Sequence, residues 1–312
     1  MRIALIGQAA FGADVMKGLI NQGQEVAGVF CPPDRGSKLD PLKDAALAAG
    51  IKVFQPAHMR NPEAYEAMVS LKADLGVLAF VTDIVPPIVF HAPKLGAICY
   101  HPSILPRYRG ASAINWAVIN GETETGLTIF WVDEGIDTGD ILLQKKVEIG
   151  PNETTGELYF NKLYALGVKA CLEAVALIVQ GKAPRIPQDH SQATYDPPCD
   201  EKVAALNWNQ PGRQVFDFIR GCDPQPGATT TFKGDIVKLY NASYLMDDHT
   251  ALPGTILEVT DRGIRVAVSG AALLISRFRT KDLGKVKAPE FIAAKKPRPG
   301  ERFGNPTVMR CC

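Results

Sequence analysis

The sequence predicts an α/β fold in which a mostly parallel sheet carries helices on both faces, followed by a smaller β-rich domain. Three observations predict it. Short, continuously apolar runs alternate with amphipathic stretches up to about residue 132, the pattern of strands buried on both faces of a parallel sheet. A proline-rich polar interval over 182–203 then interrupts the chain, and beyond it strand-like runs are set off by Gly and Asp turns.

Each element follows in order. RIALIG (2–7) is a first strand closing on Gly7, and FGADVMKGLINQG brings Phe11, Val15, Met16, Leu19 and Ile20 onto one helical face. The unit recurs as EVAGVF with PLKDAALAAG, IKVF with PEAYEAMVSLK, ADLGVLAF with a loop holding two prolines, LGAICY with ASAINWAVING, and finally LTIFWV. Gly23 and Gly50 stand where helix C-caps belong, and Pro62 stands in a first helical turn. The arrangement is Rossmann-like. A long helical pattern spans Thr154 to Gln180, broken at Gly167 and stopped by Gly181. After the interval, QPGRQVFDFIRG reads as a helix, and TTTFKGDIVKLYNASYL, GTILEVTDRGIRVAV and AALLISRFRT read as antiparallel strands of a small OB-like barrel or sandwich. KAPEFIAAKKPRPGERFGNPTVMRCC shows no periodicity and reads as a flexible tail. The domain expectation is therefore 1–181 catalytic, 182–203 linker, and 204–312 β-rich with a tail.

Composition narrows the class. With 312 residues, 46% hydrophobic, 21% charged, 28 Gly and 23 Pro, the chain can bury a core in two domains and is neither disordered nor fibrous. No apolar run reaches the roughly 18 residues of a membrane span, and the apolar core of MRIALIGQAAFG is too short for a signal peptide. The seven cysteines are odd in number, scattered, and never spaced C-x-x-C, which indicates neither a disulfide framework nor a zinc site. The expectation is a cytoplasmic protein with reduced thiols, no membrane partner and no metal; the terminal Cys311–Cys312 pair is assigned no role. Net charge is +1, yet residues 204–312 hold 16 Lys and Arg against 10 Asp and Glu, an asymmetry that suits either a polyanion-binding module or a solvated surface.

GQAAFG (7–12) lies between the first strand and first helix, where a dinucleotide fingerprint would place G-x-G-x-x-G. Ala9 occupies the second glycine position, and its methyl group would crowd a pyrophosphate. A dehydrogenase is disfavoured; the turn reads as structural, with the helix N-terminus open to the phosphate of another ligand.

His101 ends an apolar run in AICYHPSILPRYRG (97–110). Ligands of open parallel sheets bind outside the carboxyl ends of the strands, so a histidine there is catalytic or structural according to its neighbours. Pro102 stops the strand, Pro106 stiffens the loop and Gly110 frees it, which holds the imidazole at a rim rather than in a core. Thirty-six residues on, DEGIDTGDIL (133–142) follows a strand with four acids. Most of these read as solvated, but Asp137, between Ile136 and Thr138–Gly139, is placed to turn inward. A carboxylate beside an imidazole fixes its tautomer and equips it for acid–base work.

Taken together, the run HPSILPRYRGASAINWAVINGETETGLTIFWVDEGIDTGDIL and the segment LNWNQPGRQVFDFIRGCDPQPGA resemble the folate-dependent formyltransferases. They are nearest to the branch holding the N-terminal hydrolase domain of 10-formyltetrahydrofolate dehydrogenase and methionyl-tRNA formyltransferase. The resemblance covers nearly the whole chain. It implies a two-domain enzyme of one-carbon metabolism with 10-formyltetrahydrofolate as formyl donor and no metal. His101 and Asp137 match the family's catalytic residues. Phe80, Val81, Thr82, Asp83 and Ile84, with Val132, Asp133, Glu134 and Gly135, match the segments whose backbone holds the pterin. The loop with Ser103, Arg107 and Arg109 frames the acceptor; the two arginines are open between a phosphate, a folate glutamate tail and solvent.

One departure stands out. The family usually carries N-x-H, its Asn donating to the developing oxyanion, whereas here the residue two before the histidine is Cys99, and a thiol is a feeble donor. The resemblance then implies hydrolysis to tetrahydrofolate and formate first, and formyl transfer to an amine, most directly on methionyl-tRNA, second. A sugar-amine formyltransferase and a non-catalytic folate-binding protein stand lower. Cys99 itself is open between a small apolar filler and a nucleophile activated by His101. Nine Lys and Arg against three Asp and Glu over 277–302 suit tRNA phosphates or solvent equally.

Overall fold

The computed structural model describes residues 1–34, 36 and 39–306. The chain runs β1 (Arg2–Gly7), α1 (Ala9–Asn21), β2 (Glu25–Phe30), α2 (Pro41–Ala48), β3 (Val53–Phe54), α3 (Pro62–Leu71), β4 (Leu75–Ala79), α4 (Pro87–Phe90), β5 (Ala97–His101), α5 (Ala113–Ile119), β6 (Glu124–Trp131) and β7 (Ile141–Glu148). Next come α6 (Thr155–Leu158), a π-helical turn (Tyr159–Leu163), α7 (Tyr164–Val179) and a 3-10 turn (His190–Gln192). The remainder holds α8 (Gly212–Gly221), β8 (Ala228–Phe232), β9 (Asp235–Leu245), β10 (Ile256–Thr260), β11 (Gly263–Val268), β12 (Ala271–Thr280), β13 (Gly284–Lys287) and α9 (Ala288–Lys295). No helix among the described residues is long and apolar enough to cross a membrane.

Two compact units result. The first joins residues 1–109, 126–147 and 161–195; the second joins 110–125, 148–160 and 196–312. In the first, seven strands lie in the order β3-β2-β1-β4-β5-β6-β7. β1 to β5 pair in parallel and β6 runs antiparallel to β5. The order reverses between β1 and β4, which is the switch point where such sheets receive ligands.

Successive strand residues point to opposite faces, and both faces are covered. Ile3, Leu5, Ile98, Tyr100 and Ile129 pack with Phe11, Val15 and Leu19 of α1 and Cys171 and Val175 of α7. Ala4, Ile6, Leu78 and Ala97 pack with Met68 and Leu71 of α3 and Val89 and Phe90 of α4, and Cys99 borders this second cluster. That double cover is why the strands read as unbroken apolar runs.

Two details differ from the sequence expectation. β7, whose residues ILLQKKVE are half polar, is an additional strand at the sheet edge, where one side needs no apolar partner. The long helix is broken at the π-helical turn and passes straight through Gly167. A Cβ at Gly167 would stand 2.7 Å from Tyr100 Cε2 and 2.9 Å from Phe11 Cε2, so glycine there permits close packing.

The second unit holds an antiparallel sheet in the order β10-β11-β12-β9-β8, with β13 beside β12, around Trp208, Phe216, Leu239, Ile264, Leu273 and Phe278. The segment that reads as a tail is packed from β13 to Asn305. Phe291 of α9 and Phe303 are both fully buried, and Phe291 stacks on Phe278 with ring centroids 4.3 Å apart. Eight helical residues followed by isolated bridges, Thr255 to Arg302 and Thr231 to Gly304, are too short to leave a periodic signal. Cys311 and Cys312 lie outside the described residues.

Candidate active site

Alternation along β5 sends Ala97, Cys99 and His101 to one face. The β6–β7 turn begins near the start of that strand, where Val132 N–H donates to Ala97 C=O at 2.9 Å. His101 lies four residues on, about 13 Å at strand rise, yet Asp137 Oδ2 is 3.3 Å from His101 Nδ1. The turn therefore doubles back along β5 past Cys99. Its shape is locally encoded: Asp133 Oδ1 accepts from Gly135 N–H at 3.1 Å and from Thr138 Oγ1 at 2.6 Å. At Gly139 a Cβ would lie 1.7 Å from Trp131 O, so only glycine lets the turn close on β6. Asp137 itself has φ 55°, a left-handed conformation that a non-glycine residue adopts at a cost and that clusters at functional sites.

His101 Nε2 lies 2.7 Å from the carbonyl oxygen of Tyr108. A carbonyl only accepts, so Nε2 carries a proton and Nδ1 is the nitrogen turned to Asp137. Tyr108 is also left-handed, at φ 57°, and its N–H donates to Thr194 Oγ1 at 2.7 Å. The loop thus closes over the ring. His101 is the last residue of its strand, as expected, but its side chain is only 7% exposed and that of Asp137 17%. The histidine is buried under Tyr108 rather than held at an open rim.

Cys99 completes the group. Burial, and then the negative charge of Asp137, push its thiol well above the ordinary value, and Sγ contacts Tyr100 C=O at 3.5 Å. A thiol held protonated is no nucleophile, so this environment favours the filler reading of Cys99 over the nucleophile reading.

The loop residues divide. Ser103 is fully buried and donates to Arg107 C=O at 2.7 Å, so it shapes the loop rather than facing a cleft. Arg109 is 3% exposed; it donates to Gln188 Oε1 at 2.6 and 3.2 Å, to Tyr195 OH at 2.8 Å and to His190 Nδ1 at 3.0 Å. It is turned inward and committed to these partners, not presented to an acceptor. Arg107 is the exposed member, its guanidinium 5.2 Å from the Tyr108 ring centroid.

The pterin segments lie apart in sequence and share a cluster: Val81 and Val132 pack against the same apolar group as Cys99, and His91 Nε2 meets Glu134 Oε1 at 3.3 Å. Phe80 is left-handed at φ 64°. Asp83 is spent on backbone, accepting from Met59 N–H at 2.7 Å and Ile84 N–H at 3.0 Å. Phe80, Val81, Thr82 and Asp83 line an open cavity of about 230 Å³ with Gln8, Cys31 and His58; Ile84, at 75% exposed, stands outside it.

At α1 the structural reading of the turn gains a partner that the sequence did not reveal. The carboxylate of Asp40 sits on its N-terminus, both oxygens receiving Ala9 N–H at 2.9 and 3.0 Å while Oδ1 also caps Leu42 N–H at 2.8 Å. The place open to a phosphate holds an internal anion instead. Sequence reasoning missed this residue, and also the Tyr108 carbonyl, Gln188 and Thr194, because backbone acceptors and lone polar residues in irregular segments carry no pattern.

A buried imidazole–carboxylate couple is a pairing that acyl-transferring and acyl-hydrolysing enzymes use. Comparison with known proteins gives the family: residues 1–175 match the formyl transferase model and residues 200–296 the model of the formyl transferase C-terminal domain, so the chain belongs to the formyl transferase family. It is 45% identical over 250 residues to cytosolic 10-formyltetrahydrofolate dehydrogenase of Xenopus tropicalis, covering 78% of this chain and 28% of that protein. The chain thus spans under a third of that relative. It is 38% identical over 311 residues to methionyl-tRNA formyltransferase of Acetivibrio thermocellus, covering 97% of this chain and 100% of the other. Among solved structures, HypX of Aquifex aeolicus in complex with tetrahydrofolic acid shares the fold, with a TM-score of 0.69 at 21% identity over 98% of this chain and 51% of that one.

Proposed function

We propose that this protein removes the formyl group of 10-formyltetrahydrofolate with water as acceptor, giving tetrahydrofolate and formate. The observation that carries the reading is the 3.3 Å meeting of His101 Nδ1 and Asp137 Oδ2 beside a protonated Cys99 in a chain of this family. Water loses a proton to the Asp137 carboxylate as its oxygen attacks the formyl carbon. His101, oriented by the Tyr108 carbonyl, supports that carboxylate and offsets the charge that builds on the tetrahedral intermediate. Collapse breaks the bond from carbon to N10, and the proton passes on to that nitrogen. Phe80–Asp83 and Val132–Gly135 hold the pterin through their backbone.

Two features favour water over an amine. Cys99 departs from the N-x-H pattern of the amine-formylating members of the family, and its thiol is a feeble donor. The Asp40 carboxylate already accepts Ala9 N–H at the start of α1, which withdraws that donor from any acceptor phosphate.

A second reading, transfer to methionyl-tRNA, is favoured by the full-length similarity to methionyl-tRNA formyltransferase and by a basic face on the second unit. Arg279 and Lys285 stand opposite one another across β12 and β13, with Arg277 and Lys287 paired two residues along and all four exposed, a row suited to phosphates. Incubation with the donor, with and without methionyl-tRNA, separates the two. Formate released without tRNA supports hydrolysis; strict dependence on tRNA reverses the order.

A further inference from the structure

Gln188 lies in an irregular stretch, yet it is 6% exposed and its carboxamide is bonded at both ends. Nε2 donates to the carbonyls of Asp137 at 3.0 Å and Gly139 at 2.7 Å. Oε1 accepts from Arg109 Nη2 at 2.6 Å and Nε at 3.2 Å. A guanidinium offers donors only, so it claims the oxygen of the amide and leaves the NH2 to face the turn. Arg109 is itself fixed by Tyr195 OH and His190 Nδ1. The amide's orientation is therefore dictated by charge. Its two NH2 bonds fall on the carbonyls at and two residues after the left-handed Asp137, where a strained backbone needs outside support.

We propose that Gln188 is a positioning residue: through the backbone of Asp137 and Gly139 it holds the conformation that presents the Asp137 carboxylate to His101. The proposal rests on reading His101 and Asp137 as the reacting pair. It makes the stretch around residue 188 part of the catalytic apparatus without any contact between Gln188 and substrate.

Gln188→Glu is the discriminating variant. It keeps the volume and an oxygen partner for Arg109, but turns an acceptor toward two carbonyls in place of the NH2. Formate release should fall about 10- to 100-fold, the scale of a small misplacement of a reacting group, with the donor KM within about threefold. The His101 ring nitrogen resonances should shift as Nδ1 loses its partner, a change that a merely structural role would not cause. In an Asp137→Ala background the same substitution should add no further loss, since both act through one carboxylate. Wild-type turnover in Gln188→Glu, unmoved His101 resonances, or full additivity with Asp137→Ala each overturns the inference. Wild-type turnover in Asp137→Ala alone removes the underlying reading as well, and so is distinguishable from failure of the Gln188 role.

Discussion

The carbonyl of Tyr108 accepts from His101 Nε2 at 2.7 Å, and that bond decides which edge of the imidazole faces Asp137. The orienting group is a backbone atom seven residues along the same loop. Because Nε2 is spent on it, any contact of hydrogen-bond type with Asp137 Oδ2 requires one proton shared across Nδ1 and the carboxylate. The two side chains are therefore positioned as one hydrogen-bonded unit.

Asp137→Ala tests the unit. Loss of a positioned general base typically costs 10²–10⁴ in rate, so formate release should drop by at least about 100-fold. Folate contacts are backbone-borne in this reading, so donor affinity should stay within about tenfold. Steady-state formate release beside equilibrium binding of a folate measures both; turnover close to wild type removes Asp137 from the chemistry.

Asp40→Ser tests the internal anion. Serine can still cap α2, since its hydroxyl accepts from the N–H two residues on, but it withdraws both carboxylate oxygens from Ala9 N–H. The α1 N-terminus then presents a free donor and its partial positive charge. Phosphate titration followed by 31P NMR should show binding at millimolar phosphate in the variant and none in the wild type. Equal behaviour of the two would mean that Asp40 does not govern this position.

Much of the fold was legible because burial writes itself into residue type. EVAGVF is β2 to the residue, since after the exposed Glu25 its side chains are all apolar and its last three residues are buried. β13, α9 and the stretch to Phe303 were illegible for the opposite reason: they are short, their buried aromatics are Phe291 and Phe303, and charged residues lie between. At the site, His101 and Asp137 were readable as chemistry-bearing side chains beside chain breakers. Their burial was not, because it depends on Tyr108 folding back over the ring and on Thr194, 86 residues later, receiving its N–H. Arg109 shows the limit of composition: an arginine in a Pro-rich loop suggests a free cation, and only the placement of Gln188 and Tyr195 turns it inward.

Buried thiols set the alkaline stability. Burial pushes Cys171 to about 12, while an unfolded thiol ionises near 8.5. Below that pH both states keep the proton, and the contribution to stability is complete. Between about 8.5 and 12 the unfolded chain sheds a proton that the folded chain retains, so stability falls with rising pH, by up to about 1.4 kcal/mol per pH unit for this group. Cys31, raised to about 11 by burial, adds to the same trend. Urea unfolding at pH 7.5 and 9.5 should show a lower midpoint at the higher pH. Cys171→Ala should narrow the difference between the two midpoints, whatever it does to each; an unchanged difference would contradict the assignment.

Cys99→Asn addresses the choice of acceptor. Residue 99 points to the same face as His101, and Asp137 is near enough for its charge to raise the thiol. An Asn side chain there brings an N–H donor to the place where the oxyanion forms, and removal of one such donor elsewhere costs 100- to 1000-fold in rate. Stabilising the intermediate helps any attacking group, so hydrolysis should rise too. An amine is the more reactive nucleophile and water the more abundant one, so with the intermediate held both products should become measurable. The expected result is faster formate release together with formyl transfer to an added amine that the wild type leaves untouched, read by mass spectrometry of the amine. A variant that folds, binds folate and gains neither activity would show that the oxyanion lies elsewhere and that Cys99 is a filler of the β5 face.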